Sequence, residues 1–397
     1  MVTTPGGSRA RVLLAVVVVA ALAVGGGLLL TGETPLPSGE EAAQQYGSLD
    51  AYNATYVVTY HEPNGTRTVR VRNTVSPDSG ELRAEVLEPP SRAGNLRVYN
   101  GSVTWLYNAT RNSVTRVTQP DPQVVPQQQA LIHSLVAGAN GDGPSSRISP
   151  LPVVPAGGAG SPVENATGEL TVSYDGTATV AGRDAHVLVL TPVEEADTVI
   201  RNQTVWLDTE RFIPLKSRAV LQFGDDRTVV SQETTAVAVG PDLPPGAFEF
   251  TPPAGARSEG TAAVTEYGSR AALRNATAFP VPDPTVPDRF ELSGARLVVR
   301  PDRTAAVLRY TSGVNVISVL AGNGSEYDNV TGEPVAIGNR TGRFSVSGQV
   351  GQVVWSCGPY EYSVAGTVSK GTLTEVASSV AARAGACNGS TARTASR

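Results

Sequence analysis

Few residues of this chain have side chains that could do chemistry, and they do not converge. The three histidines, His61, His133 and His186, stand far apart. They show neither HExxH nor HxH spacing, so no zinc site is expected. Glu194-Glu195 and Asp225-Asp226 are adjacent carboxylates, and neighbours on a strand point to opposite faces, so they read as solvated turn charges. The Gly-rich runs GDGPSS and AGGAG do not join a strand to a helix through Lys-Ser/Thr, and no GxSxG elbow occurs. Asp328 lacks the acidic company of a calcium loop. No catalytic, metal or cofactor site is expected, and an enzyme has no constellation behind it.

What remains is an apolar pattern. In LRVYNGSVTWLYN, residues 96–108, Asn100-Gly101 sits between two alternating runs and signals a tight hairpin. A two-residue turn at 100–101 would pair Val98 with Val103 and Leu96 with Trp105. Leu96, Val98, Val103, Trp105 and Tyr107 then line one face, and Arg97, Ser102 and Thr104 the other. Further alternating runs precede and follow it: Val69, Val71 and Val75 on one face, then Leu82, Ala84 and Val86 in step. Turns are marked at Asn64-Gly65, Asp175-Gly176 and Gly224-Asp225. The period changes once in this region, over 126–138, where Pro126 opens a helix and Leu131, Ile132, Leu135 and Val136 form its apolar stripe. A Gly/Pro/Ser-rich loop follows to about 162.

Strands at this spacing suggest one large antiparallel sheet, curved or half-closed. One amphipathic helix is thin cover for its apolar face. Either the sheet wraps around an ordinary core or it holds a cavity under that helix. From about 256 a second strand-rich unit begins with a short helix near 265–276. It ends in a helix starting at TLTEVASSVAARAG, where Thr372 and Glu375 have capping-box spacing and Leu373, Val376, Ala377 and Val380 form the packing face.

The N-terminus places the chain. Residues 12–30 are uncharged and apolar, long enough to span a bilayer, with Arg9 and Arg11 before them and Glu33, Glu40 and Glu41 after. They read as a transmembrane anchor or a signal segment. The anchor reading gives a cytoplasmic tail (1–11), a polar linker (31–45) and a single-pass membrane protein with its bulk extracellular. Eleven of 16 asparagines lie in glycosylation sequons: Asn53, Asn64, Asn100, Asn108, Asn165, Asn202, Asn275, Asn323, Asn329, Asn339 and Asn388. In an exported chain the even pair Cys357 and Cys387 favours a disulfide, whose 30-residue loop would contribute roughly 3–4 kcal/mol. A net charge of -5 with no basic block argues against nucleic acid.

The order of elements over 46–255 resembles the LolA-type lipoprotein carrier family and its relatives, including sensor domains of anti-sigma-factor regulators. The matching segments are the hairpin at 98–108, the helix after it, HVLVLTP (186–192), VWLDTERFIPLKSRAV (205–220) and FEFTPPAG (248–255). Residues 264–383 resemble a small domain that follows such units in exported proteins, through FPVPDPTVP, LRYTSGVNVISV and VVWSCGPYEYSVAGTVSKGTLTEVASSV. The resemblance implies a mainly β (α+β) fold. An open antiparallel half-barrel with a helical lid (46–255) would be followed by a smaller antiparallel α+β domain (256–390). It also implies an acyl chain, lipoprotein or apolar peptide as ligand, with Leu96, Val98, Val103 and Trp105 in the wall and Leu131 and Leu135 on the lid. Tethering and dense sequons depart from the soluble carriers and look like a single-membrane archaeal surface protein. The second expectation is an envelope sensor acting through a membrane-protein partner.

Overall fold

Tyr52, Ala54, Tyr56, Val58 and Tyr60 alternate with more exposed residues, and that alternation builds the strand at the middle of the first half, β1 (Tyr52–Glu62). The computed structural model describes residues 36–118, 124–141, 170–193, 198–240, 242–277, 280–301, 303–312, 315–323, 332–347 and 350–383. Before β1 stands helix α1 (Gly39–Gly47). After it come β2 (Gly65–Ser76), β3 (Glu81–Glu88), β4 (Leu96–Tyr99), β5 (Val103–Asn108), β6 (Ser113–Thr118) and helix α2 (Val124–Asn140). The first half continues with β7 (Leu170–Val180), β8 (Arg183–Pro192), β9 (Ile200–Asp208), β10 (Pro214–Phe223) and β11 (Asp226–Val239). The second half holds β12 (Arg257–Tyr267), α3 (Arg270–Ala276), β13 (Glu291–Val299), β14 (Thr304–Ser312) and β15 (Asn315–Asn323). It closes with β16 (Glu333–Ile337), β17 (Arg340–Ser347), β18 (Val350–Cys357), β19 (Tyr360–Gly366) and α4 (Lys370–Arg383).

The protein is mainly β, with an open sheet. Nearly every strand pairs with its chain neighbour, and β1 also takes β11 along its other edge, which folds β7–β11 back beside the meander β1–β6. Among the described residues the single parallel pairing, β6 with β12, splices the second half onto the first to make one 19-stranded sheet. In the second half β15 pairs with β19, so β19, β18, β17 and β16 follow in reverse order.

One apolar core runs through both halves. Ala42 and Tyr46 of α1, and Ile132, Leu135 and Val136 of α2, join it from above β1 and β7. The Tyr46 ring meets Tyr52 edge-on, centroids 6.3 Å apart. Near Gly351 of β18 the side chains of Phe223, Phe344 and Leu373 converge, packing α4 and β17 against β10. Leu373, Val376, Ala377 and Val380 face inward, as their spacing predicts.

Several local expectations need correction. The polar linker expected at 31–45 is replaced within its described part, residues 36–45, by helix α1 from Gly39, with Ser38 Oγ accepting the Glu41 N–H as its N-cap. Ser369, not Thr372, caps α4, its Oγ accepting the Thr372 N–H at 3.2 Å. Asp175-Gly176 is a bulge inside β7 rather than a turn, and the chain reverses at Ala181-Gly182, both at positive φ. The single-pass membrane placement is also corrected. Among the described residues no helix is long and apolar enough to cross a membrane, and residues 12–30 lie outside them.

The turn from β9 to β10 is fixed by a buried charge. Asp208 is 1% exposed and takes Arg183 Nε at 2.5 Å and Nη2 at 3.1 Å, plus the backbone N–H groups of Glu210 and Arg211. Beside it His186 is buried, stacked on Phe212 and 3.3 Å from the Tyr174 hydroxyl. Burial lowers the His186 pKa from 6.5, partly offset by the Asp208 charge. The unfolded chain therefore binds this proton first, so its contribution is complete above about pH 6.5 and is lost as pH falls toward the lowered value. Thermal unfolding followed from pH 7.5 to 5 should show a falling midpoint, and His186→Gln should flatten that slope.

Candidate functional site

Directly paired strand residues share a face, so the register traces each side of the sheet. From Ala54 of β1 the core side runs through Asn73, Ala84, Arg97, Leu106 and Thr115. The next row is Tyr52, Val75, Leu82, Tyr99, Thr104 and Val117. Arg97 therefore projects from the side that carries the helices, at the β4–β6 end where Leu106, Thr115 and Val117 are only half-buried.

Leu96, Val98, Val103 and Trp105 lie on the opposite side. Val98 pairs with Arg83 and Trp105, and Leu96 with Glu85 and Tyr107. The segment around 247–250 covers this side. Arg83 Nη1 reaches the carbonyls of Ala247 and Glu249 at 3.5 and 3.4 Å, and the Tyr107 ring lies 5.6 Å from that of Phe250. Leu135 sits in the main core with Leu131 packed against it, whereas Leu96, Val98, Val103 and Trp105 belong to neither group. The expected wall and lid are thus not brought together, because Leu96, Val98, Val103 and Trp105 face away from the helices, on the side that meets the 247–250 strap. The hairpin register also differs. Val98 faces Trp105, and the reversal is at Gly101-Ser102, with Gly101 at φ +87° and Asn100 Oδ1 accepting the N–H groups of Ser102 and Val103. The shift is two residues, so face membership is unchanged.

The core side carries polar groups without partners. The Arg97 Nε, Asn73 Oδ1, Thr234 Oγ1 and both amide atoms of Gln203 are buried and unbonded. Proteins leave few such groups, since each costs about 1–3 kcal/mol. Arg97 stands out. On the outer side Arg70 and Arg72 have Glu88 and Glu85 across from them, each at 3.5 Å. Arg97 has no carboxylate partner among the described residues, and burial lowers its pKa. It stands one strand beyond Ala84, and Asn73 stands one strand further on the other side of Ala84, so only an alanine separates the two polar groups. Tyr46, Tyr52 and Tyr56 flank this region with a chain of buried hydroxyls, their pKa values raised chiefly by burial.

The other sequence-derived positions scatter. His61 bonds Thr66 at a hairpin tip and His133 is exposed on α2. Among the described residues no three potential metal ligands stand together. Cys357 is buried and disulfide-bonded, and the only other cysteine in the sequence is Cys387. Asn64, Asn202, Asn275 and Asn339 are exposed. Asn100, Asn108 and Asn323 use Oδ1 to accept local backbone N–H groups, and the Oδ1 of Asn53 is buried. Asn165, Asn329, Asn388 and Cys387 lie outside the described residues.

No family model and no curated protein matches this chain. Among solved structures it is similar to the MucA/MucB complex of Pseudomonas aeruginosa, at 17% identity over 85% of this chain and 96% of that one, TM-score 0.45. It is also similar to a LolA superfamily protein of Nitrosomonas europaea, at 12% identity over 54% of this chain and 98% of that one, TM-score 0.24. A third is the lipoprotein LppX of Mycobacterium tuberculosis, at 10% identity over 49% and 93%, TM-score 0.26. At these values the likenesses carry no functional argument, and what the site can bind is read from its own groups.

Proposed function

We propose that this chain is a non-catalytic binding protein for an anionic amphiphile, an acyl chain with a carboxylate or phosphate head. The ligand lies along the core side of β2–β6. The observation that carries this reading is Arg97, a half-buried guanidinium with a buried, unbonded Nε and no carboxylate among the described residues, set among Ala84, Leu106 and Val117. An anionic head supplies the missing acceptor, and a charge-assisted hydrogen bond contributes about 1.5–3 kcal/mol. Each buried methylene of the tail adds about 0.8 kcal/mol.

The test is titration of the purified full chain with a fluorescent fatty acid, followed by competition. Palmitate should displace the probe at least tenfold more effectively than palmityl alcohol, which has the tail without the charge. A chain that is lipid-free by native mass spectrometry and takes up no probe would overturn the proposal.

A further inference from the structure

The second half carries another arginine without a carboxylate partner among the described residues, far along the chain from Arg97. In β13–β15 the core side runs through Ala295, Leu308 and Val319. The residues between them face outward in two neighbouring rows. One row is Gly294, Arg309 and Ser318; the other is Arg296, Val307 and Leu320. Arg296 is held by Glu266 across from it on β12, Nε to Oε1 2.7 Å. Arg309 has no carboxylate partner among the described residues, and its Nε is buried without a hydrogen bond.

The surroundings of Arg309 are those of a cradle. On one side is Gly294, where an added Cβ would meet only the Arg309 Cβ, at 3.8 Å, so the space above the sheet is open. On the other side is Ser318, half-exposed, whose hydroxyl makes no hydrogen bond among the described residues. Arg296 adds a second guanidinium, close enough that it and burial lower the Arg309 pKa to about 10. Glu266, the partner of Arg296, is itself half-exposed to solvent.

We infer that Arg309, Ser318 and Arg296 form an oxyanion site for a phosphoryl group. The planar guanidinium offers paired N–H donors and the serine a third from the next strand. Donors arriving from two strands suit the three or four outward-pointing oxygens of a phosphate. Glu266 holds Arg296 in place and excludes a second anion. The site does not depend on the reading of Arg97, since β5, β6, β12 and β13 stand between the strands that carry the two arginines.

The full chain is titrated with inorganic phosphate, and separately with dihexanoyl phosphatidylglycerol below its micelle concentration, at constant ionic strength in chloride. Phosphorus NMR and calorimetry read the binding. Binding of free phosphate that is at least tenfold weaker in Arg309→Gln and unchanged in Arg274→Gln, an exposed arginine of α3 outside both sites, supports the site with a free ion as its source. The same pattern with the soluble lipid alone supports it with a headgroup as the source. Ser318→Ala gives a smaller loss and serves as the second variant, because it leaves the arginines in place. Absence of binding to either ligand, or equal binding by wild type and Arg309→Gln with matched circular dichroism, overturns the inference.

Discussion

Arg97→Met lowers fatty-acid affinity by roughly ten- to a hundredfold while the thermal midpoint holds or rises. The two readouts move in opposite directions for one reason. The guanidinium is partly desolvated in the unliganded chain and has no carboxylate to offset that cost. Methionine keeps much of the length and apolar stem of the side chain, so packing over Ala84 survives while the unpaired charge is removed. The bound state loses a charge-assisted hydrogen bond worth about 1.5–3 kcal/mol, which is the stated range in affinity. Arg97→Lys keeps the charge but not the fork, and should fall between. A methionine variant that binds as wild type, or one that unfolds, would show that Arg97 is a structural residue.

Asp208→Ala has the opposite character: it strikes the fold. Asp208 gathers Arg183 and two backbone N–H groups at the β9–β10 reversal while being 1% exposed. Removing the carboxylate leaves the Glu210 and Arg211 N–H groups unpaired and strips Arg183 of its buried partner. Breaking a buried pair from one side costs about 3–5 kcal/mol. Phe212, at φ +54° in this turn, keeps its N–H bond to the main-chain carbonyl of residue 208, so the loss comes from the side-chain contacts alone. Chemical denaturation should show a midpoint shift with an unchanged slope. Without the Asp208 charge that partly offsets burial, the His186 pKa falls further, so the pH dependence described above should steepen. A destabilisation below about 1 kcal/mol would show that the turn is held by its backbone alone.

Much of this architecture could be read before the structure, and the rest could not, for identifiable reasons. Gly224-Asp225 reads correctly as a turn because Phe223 and Asp226 pair across it, and the α4 packing stripe follows from spacing alone. Asp175-Gly176 has the same composition but lies mid-strand, and only tertiary pairing distinguishes a bulge from a turn. The β4–β5 hairpin carries the main lesson. Alternation separates Leu96, Val98 and Trp105 from Arg97 and Thr104, and the structure keeps that separation. Alternation does not say which side meets the helices. Hydrophobicity favours the side of Trp105, yet that side meets residues 247–250, a segment about 140 positions later. The side that meets the ligand in our proposal is the more polar one, because a head group needs a partner there.

The splice between β6 and β12 bears on how this chain is made. The meander β1–β6 can form as soon as it leaves the ribosome, since its pairings are local. It then has two unpaired edges, β1 and β6, throughout synthesis of residues 119–225. Such edges are templates for aggregation. Their eventual partners, β11 (Asp226–Val239) for β1 and β12 (Arg257–Tyr267) for β6, are consecutive strands. Both edges are therefore closed by one short stretch of nascent chain. The interval before that stretch emerges is the period in which a chaperone would matter most, and a chain truncated before residue 226 keeps both edges open permanently.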